Sequence, residues 1–259
     1  MLTKFVSRLF LCCLFLVSTP TLAEKIVLAT GDWPPYVSED LKHQGVTARI
    51  VREAFRLAGE DVEFQYYPWK RALILSEKGA VDGTFPWSLK PERAEDHLYS
   101  DPIGDYGYVI FHFKSKPFDW ETIEDLKPYK IGGTNGYNYG NAFLTAAKNG
   151  DIRVEWAPSD DINWQLLLKG RIDLFPSDRE AGYTKLRELF LDEEVALVTH
   201  HPIPLKPLTP LHLLLPKSNP LSEQRLEQFN KGLAILKERG RYHALLKELE
   251  KGLYDQNIH

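Results

Sequence analysis

The feature of this sequence that most limits its fold is a regular alternation of short apolar runs and helical patterns, which occurs twice along the chain. In chain order the segments are strand 26–30, helix 46–58, strand 62–67, helix 70–78 and strand 81–85, then strand 129–132, helix 141–148, strand 152–156, helix 160–169 and strand 172–175. Strands that alternate with helices favour an open, largely parallel sheet covered by helices. The sequence therefore predicts an α/β fold made of two similar units.

A short turn signature is shared by the two units. Lys78-Gly79-Ala-Val-Asp82 and Lys169-Gly170-Arg-Ile-Asp173 each join the end of a helix to a strand, and a proline follows both strands. The glycine suits the end of a helix, where a positive φ is common. Two ordinary helix-to-strand turns could share this pattern by coincidence, but the order of the flanking elements also matches. We interpret the units as two related lobes.

The last part of the chain is expected to return to the first lobe. Residues 202–210 contain four prolines, which suits an extended crossing segment and excludes a helix interior. A strand at 211–215 and two amphipathic helices follow. The predicted organisation is a discontinuous first lobe of residues 24–108 and 207–259, a second lobe of residues 109–206, and two strands that form the hinge.

The first residues have the pattern of a secretory signal peptide. Lys4 and Arg8 precede an apolar run at 9–17, and Ala23 offers a small residue at a cleavage site. A membrane anchor is the alternative, but this run is shorter than a bilayer-spanning helix requires. We expect cleavage after Ala23 and an exported, periplasmic protein. Both cysteines of the chain, Cys12 and Cys13, lie in this segment.

Composition and motifs exclude several classes of function. The formal net charge of -4 argues against a nucleic-acid binder, which needs a basic face. Nucleophile-elbow, phosphate-loop and dinucleotide motifs do not occur. The pair His200-His201 has no acid or cysteine at metal-ligand spacing. The sequence thus predicts no metal site and no cofactor.

The candidate binding residues follow the strands of both lobes, at the carboxyl ends where α/β sheets bind ligands. The loops concerned are 31–36 and 85–93 in the first lobe and 133–139 and 176–179 in the second. An arginine from one lobe and an aspartate from the other would suit a zwitterion, because a guanidinium clamps a carboxylate and an aspartate holds an ammonium group. Aromatic side chains in these loops would add apolar contact.

At these residues the chain resembles the extracellular solute-binding proteins of the polar-amino-acid type, solute-binding protein family 3. The resemblance covers almost all of the chain after the signal peptide. The matching segments are Ser88-Leu-Lys-Pro-Glu-Arg93 with Tyr99-Ser100-Asp101-Pro102, Ile131-Gly-Gly-Thr-Asn-Gly136, Gly170-Arg-Ile-Asp173 with Ser177-Asp178, and Phe229-Asn230 with Gly240-Arg-Tyr242. The resemblance implies two α/β lobes of the type II periplasmic-binding-protein class, joined by a two-stranded hinge.

The resemblance also implies roles for particular residues. Arg93 would take a ligand carboxylate, Asp178 its amino group, and Tyr36 and Trp69 would sandwich its side chain. The further candidates are Ser88, Trp87, Asn135, Tyr137 and Asn138. The chain departs from the family at Phe85-Pro86-Trp87, where hydroxyl residues are usual, and at Lys90, where threonine is usual. These departures leave fewer donors for a carboxylate and favour a larger or less polar ligand.

The resulting hypothesis is a monomeric periplasmic receptor, not an enzyme, that captures a small amino-acid-like ligand for an ABC permease complex. Two alternatives stay open. A few relatives with this cleft act as dehydratases, for which Asp178 and Glu180 are candidate acids, and others serve as ligand-sensing receptors. Purely structural roles are open as well. Arg93 could be a surface charge at the start of a helix, and Asp178 could pair with Arg179 or cap the following helix.

Overall fold

Two groups of strands, one on each side of a double crossing, organise the chain. The structure is a computed structural model and describes residues 25–255. The predicted signal peptide, residues 1–23, lies outside the described residues. Within residues 25–255, no helix is both long and apolar enough to cross a membrane.

Eleven strands form the sheets of the described chain. They are β1 Ile26–Thr30, β2 Val62–Tyr66, β3 Gly83–Ser88, β4 His97–Tyr99, β5 Gly104–Tyr106, β6 Tyr108–Phe113, β7 Lys130–Thr134, β8 Arg153–Ala157, β9 Phe175–Asp178, β10 Val198–His200 and β11 Thr209–Pro216. Most of the longer strands match the apolar runs of the sequence, but β6, six residues long, was not predicted. Two strands lie two to three residues later than expected: β3 instead of 81–85, and β9 instead of 172–175, because residues 173 and 174 only bridge to β7.

Nine α-helices cover the strands of the described chain. They are α1 Val46–Leu57, α2 Trp69–Glu77, α3 Pro91–Ala94, α4 Asn141–Asn149, α5 Asp160–Leu168, α6 Arg179–Leu189, α7 Asp192–Val195, α8 Ser222–Glu238 and α9 Arg241–Glu250. Short 3₁₀ turns lie at Lys42–Gln44 and Ile123–Leu126.

The first lobe is built on a sheet with the order β2-β1-β3-β11-β4, to which β5 is added by pairing with β11. Strand β1 runs parallel to β2 and β3, and α1 and α2 connect these strands. Leu28 and Ala29, which point to opposite faces of the sheet, are both fully buried because helices cover this part of the sheet on both faces. Strand β11 pairs antiparallel with β3, so the end of the chain completes the sheet that its start begins.

The second lobe contains the strands between the two crossings. Strand β6 lies between β10 and β9, and β7 pairs in parallel with β8. A bridge between Ile131 of β7 and Leu174 joins the two groups of strands. The predicted mixture of two α/β lobes with a two-stranded connection is confirmed by this arrangement. The exact lobe boundaries stay a prediction.

Two crossings connect the lobes. The outward crossing passes from β5 to β6 through Gly107, where an added Cβ atom would lie 2.5 Å from the Leu208 side chain of the return crossing. The return crossing follows β10 and includes the four prolines of 202–210. Its Leu205 donates a backbone hydrogen bond to the carbonyl oxygen of Tyr108, at 2.7 Å. The two crossings therefore lie directly against each other.

A further contact holds helix α6 of the second lobe against the end of the chain. Asp255, which follows α9, accepts a 2.6 Å hydrogen bond from the hydroxyl of Thr184 and forms an ion pair with Arg187. Tyr254 beside it is almost fully buried in the core of the first lobe. The C-terminal segment of the first lobe therefore reaches across to the second lobe.

Helices α1 and α8 pack unusually closely in the first lobe. The rings of Phe55 and Phe229 lie 4.8 Å apart, and a Cβ atom added at Gly232 would lie 2.0 Å from the carbonyl oxygen of Ala54. Since that oxygen belongs to the backbone, a side chain at Gly232 would have to move a helix. Glycine is therefore required for this contact.

We predict that Gly232→Ala lowers the free energy of unfolding by about 1–3 kcal/mol, the usual cost of overpacking. At a solvent-exposed position in a helix, Gly→Ala would stabilise the protein by up to about 1 kcal/mol. The sign of the change in stability therefore identifies the close contact. Urea denaturation measures it. Gln224→Ala, at an exposed position of α8, is the control and should change stability by no more than about 0.5 kcal/mol. A more stable Gly232→Ala protein would contradict the packing.

Candidate functional site

Arg93 is a partly buried cation on the first lobe, in the one-turn helix α3. It donates one hydrogen bond, from Nη1 to the carbonyl oxygen of Ser88 at 2.9 Å, and its guanidinium carbon lies 4.4 Å from the centre of the Trp87 ring. Among the described residues, no carboxylate lies within ion-pair distance of Arg93. Most of its N–H donors are thus available to an anion.

Two indole rings lie beside this arginine. Trp87 and Trp69 meet edge to face with ring centres 5.3 Å apart, and Trp87 Nε1 donates to the hydroxyl of Thr84 at 2.9 Å. The Trp69 ring lies directly on the backbone of Gly31, where an added Cβ atom would be 2.2 Å from the ring. Any larger residue at position 31 would displace Trp69. Arg93, Trp87 and Trp69 therefore form one connected group, which the sequence predicted as candidates but could not place together.

A second aromatic group lies around the Pro34-Pro35 turn and includes two residues that were not among the predicted site residues. The Trp33 ring centre lies 4.6 Å from that of Tyr36 and 5.3 Å from that of Tyr106, on the outward crossing. Trp33 and Tyr106 are partly exposed, whereas Tyr36 is only 6% exposed. The available aromatic surface here belongs to Trp33 and Tyr106. The sequence signal for Trp33 was its place in the loop after β1, whereas Tyr106 lies in the three-residue strand β5, which was not predicted.

Asp178 joins the two lobes. It ends β9 and caps α6, and its Oδ1 accepts hydrogen bonds from the Ala181 amide at 3.0 Å and from the Tyr36 hydroxyl at 2.7 Å. Its Oδ2 accepts from the amide of Gly107 at 3.2 Å. The helix-cap role considered from sequence is therefore present. Arg179 pairs instead with Glu180, at 2.6 Å.

Burial dominates the electrostatics of Asp178. The residue is 7% exposed, and desolvation raises the pKa of its carboxyl to about 6, although the donors from Ala181, Tyr36 and Gly107 oppose that rise. The same burial and the neighbouring carboxyl raise the pKa of Tyr36, so its hydroxyl stays protonated and donates. Near neutral pH, Asp178 is therefore a carboxylate that accepts hydrogen bonds from three donors.

The candidates from the second lobe lie on the loop after β7. Asn135, Tyr137 and Asn138 are exposed, and Tyr137 is 43% exposed. The side chain of Asn138 accepts a hydrogen bond from the Gly140 amide at 3.0 Å, and the hydroxyl of Tyr139 accepts one from the Thr134 amide at 2.8 Å. These bonds fix the loop and leave the side chains of Asn135 and Tyr137 free for other contacts.

A cavity of about 240 Å³ lies where the crossings meet α1 and α9. Of the predicted site residues, Tyr36 and Asp178 line this cavity, and the other seven do not. Within residues 25–255, no group of three or more histidine, cysteine or acidic side chains could hold a metal ion. The groups that the candidate residues offer to a ligand are the charged, hydrogen-bonding and aromatic side chains described above.

Two α/β lobes with polar and aromatic residues at the strand ends define a two-lobed binding protein. Residues 26–249 match the bacterial extracellular solute-binding proteins, family 3, and the chain belongs to this family. The match confirms the resemblance inferred from sequence and an extracellular solute-binding class of protein. Among curated proteins no relative matches this chain.

Solved structures support the fold. The second substrate binding domain assigned to an amino acid ABC transporter of Streptococcus pneumoniae superposes with a TM-score of 0.72 at 16% identity, covering 87% of this chain and 99% of that one. Substrate binding domain 2 of Lactococcus lactis GlnP, in an open conformation, gives 0.68 at 18%, covering 89% and 97%. The Nostoc punctiforme GluR0 ligand-binding core with L-glutamate gives 0.59 at 21%, covering 86% and 98%. These are binding proteins of the same fold.

We predict that Tyr36→Phe lowers the free energy of unfolding by about 1.5–3 kcal/mol, because it removes a buried hydrogen bond to a charged carboxylate. The loss should be largest near pH 7.5 and should shrink as the pH falls through about 6, where Asp178 becomes protonated. Chemical denaturation at several pH values measures both effects.

Tyr67→Phe is the matched control for this prediction. The Tyr67 hydroxyl donates to the side chain of Gln65, at 3.0 Å, within the first lobe and away from any buried acid. Its removal should cost about 1 kcal/mol or less, without the pH dependence. Equal losses and equal pH profiles in the two variants would mean that Tyr36 does not stabilise an ionised Asp178.

Proposed function

We propose that this protein is a periplasmic receptor that captures a small solute with a carboxylate group, an amino acid or a related compound, and presents it to an ABC importer. Membership of the family and the binding-domain relatives support the capture of a solute. The single observation that carries the choice of a carboxylate is Arg93, a half-buried guanidinium without a carboxylate partner among the described residues, on the face of Trp87.

In this proposal Arg93 binds the carboxylate through paired N–H donors, a geometry that guanidinium groups favour. Trp69, Trp87 and Ser88 line the first-lobe side of the ligand, and Trp33 adds aromatic surface. Asn135, Tyr137 and Asn138 approach from the second lobe when the lobes close. Contacts to both lobes would favour a closed form, the shape change that a transporter can detect.

Asp178 and Tyr36 have a more limited part in the proposal. The Asp178 carboxylate already accepts three hydrogen bonds, and a carboxylate has about four acceptor positions. An ammonium group could therefore use only the remaining position or replace the Tyr36 hydroxyl. We propose that Asp178 mainly fixes the position of one lobe relative to the other, and that the buried Tyr36 ring packs against Trp33 and holds it in place.

One observation favours the enzymatic alternative. The pKa of Asp178 is raised to about 6 by burial, which suits a general acid at neutral pH. A general acid must also reach its substrate, and the three donors around Asp178 occupy most of its oxygen positions. We therefore keep binding as the proposal, and consumption of a bound compound in a turnover assay would favour the enzyme.

We predict that a thermal-shift screen of amino acids and small carboxylates identifies at least one ligand. At a hundredfold excess over its Kd, a ligand adds about 2.7 kcal/mol of stability, which corresponds to a rise of about 5–10 °C for a chain of this size. Arg93→Ala should weaken binding about a hundredfold, because charged hydrogen bonds contribute about 1.5–3 kcal/mol each, and should reduce the rise to about 1 °C at the same ligand concentration. Arg93→Lys should retain only part of the ligand affinity, because an ammonium group cannot form the paired hydrogen bonds of a guanidinium.

Arg153→Ala, at an exposed position of β8, is the matched control and should leave the shift unchanged. A ligand that stabilises wild type and Arg93→Ala equally would disprove the role of Arg93. Neighbouring genes for a permease and an ATPase would support import. A protein that binds no small molecule would contradict the proposed function as a whole.

A further inference from the structure

Lys206, on the return crossing, lies where the first-lobe aromatic group meets the second-lobe loop. Its Nζ atom lies 5.8 Å from the ring centre of Tyr106 and 5.5 Å from that of Tyr108. Its Cβ and Cδ atoms lie 3.7 Å from the position of a Cβ atom at Gly140. Tyr106 contacts Trp33, and Tyr108 contacts Tyr137, whose ring centres are 6.4 Å apart. Lys206 is therefore placed between candidate binding residues of both lobes.

The charge of Lys206 is not balanced by the protein. Its side chain is partly buried, desolvation lowers its pKa, and no carboxylate of residues 25–255 lies within ion-pair distance. Asp105 precedes Tyr106 in β5, but neighbouring side chains of a strand point to opposite faces, so Asp105 faces away from the Tyr106 ring beside which Lys206 lies. Rings at 5.5 and 5.8 Å are near the outer limit of cation–π attraction. These contacts compensate a desolvated ammonium group only in part.

The third observation concerns the one acid among the predicted site residues. Asp178 is buried and accepts hydrogen bonds from Tyr36, Gly107 and the start of α6, so its negative charge is already compensated by groups of the protein. Arg93 and Lys206 have no such partners. Arg93 and Lys206 are therefore two cations beside the candidate residues that form no ion pair within residues 25–255, and a single carboxylate would satisfy only one of them.

We propose that Lys206 is a second anion-binding residue of the cleft and that the ligand is a small organic dianion, with one anionic group for each of Arg93 and Lys206. Dicarboxylates and acidic amino acids belong to this class. The inference rests on the proposed function and deepens it, because it names the class of solute. The aromatic rings beside the two cations would hold the uncharged part of the ligand.

The test compares ligands that differ by one anionic group. Isothermal titration would use L-glutamate against L-glutamine, glutarate against butyrate, and isophthalate against benzoate, within a wider panel of mono- and dicarboxylates. We expect the tightest ligand to be a dianion, bound at least about tenfold more tightly than its monoanionic counterpart, as a charge-assisted hydrogen bond allows.

Variants of Lys206 separate charge from packing. Lys206→Met keeps the apolar stem and should weaken dianions about tenfold while leaving monoanions within about twofold, and Lys206→Arg should retain most of the dianion affinity. Lys237→Met is the matched control, since Lys237 also lies over a tyrosine, Tyr242 at 5.2 Å, but on the first lobe away from the candidate residues. It should change neither affinity.

Three outcomes would overturn the proposal. The first is a tightest ligand with a single anionic group and with Lys206→Met unchanged, which would leave the proposed function intact if binding still depends on Arg93. The second is an equal loss of mono- and dianions in Lys206→Met, which would indicate a packing role. The third is no ligand in the whole panel, in which case the proposed function fails with it.

Discussion

The buried carboxylate of Asp178 is the interaction on which the relation of the two lobes depends. An ionised carboxyl that leaves water must be compensated by hydrogen bonds, and the three donors come from three different places: the first lobe, the outward crossing and helix α6. Moving any one of them would leave the charge partly unpaired. A single residue at the end of β9 therefore fixes the start of α6, the crossing at Gly107 and the position of Tyr36 together.

Helix α6 carries further contacts between the lobes. Beyond its cap at Asp178, Arg179 lies 3.8 Å from Glu250 of α9, and Thr184 and Arg187 contact Asp255. The exposed Arg179–Glu250 pair contributes little by itself, but Asp255 is held by two partners. One side of α6 is therefore attached to the first lobe between Arg179 and Arg187. In the proposed capture of a solute, closure of the lobes would have to keep these contacts, whereas the loop after β7 takes part in none of them.

The sequence allowed much of the fold to be predicted, because the parallel strands and the helices between them are strongly patterned elements. Helix α1 and strand β1 show this, since apolar residues at helical spacing predicted the helix and a short apolar run predicted the strand. The crossing strands β5 and β10 have only three residues each, which is too short for any periodicity. At the site, the residue types were predictable but not their directions. Nothing in Trp33-Pro34-Pro35-Tyr36 says which ring faces the core, because that depends on Asp178 from the other lobe.

The same reasoning explains why the cations and aromatic rings of this site occur together. An arginine or lysine without a carboxylate partner is tolerated at a half-buried position when its apolar stem and one face of the charged group rest on a ring. Arg93 on Trp87 and Lys206 beside Tyr106 and Tyr108 are two cases of this arrangement. Partial desolvation then makes each cation a stronger partner for an anion than it would be in water. In the proposed binding mode, an anion held by both cations would link the first lobe, which carries Arg93, to the second-lobe residue Gly140, against which Lys206 lies. Recognition and closure would then depend on the same charges.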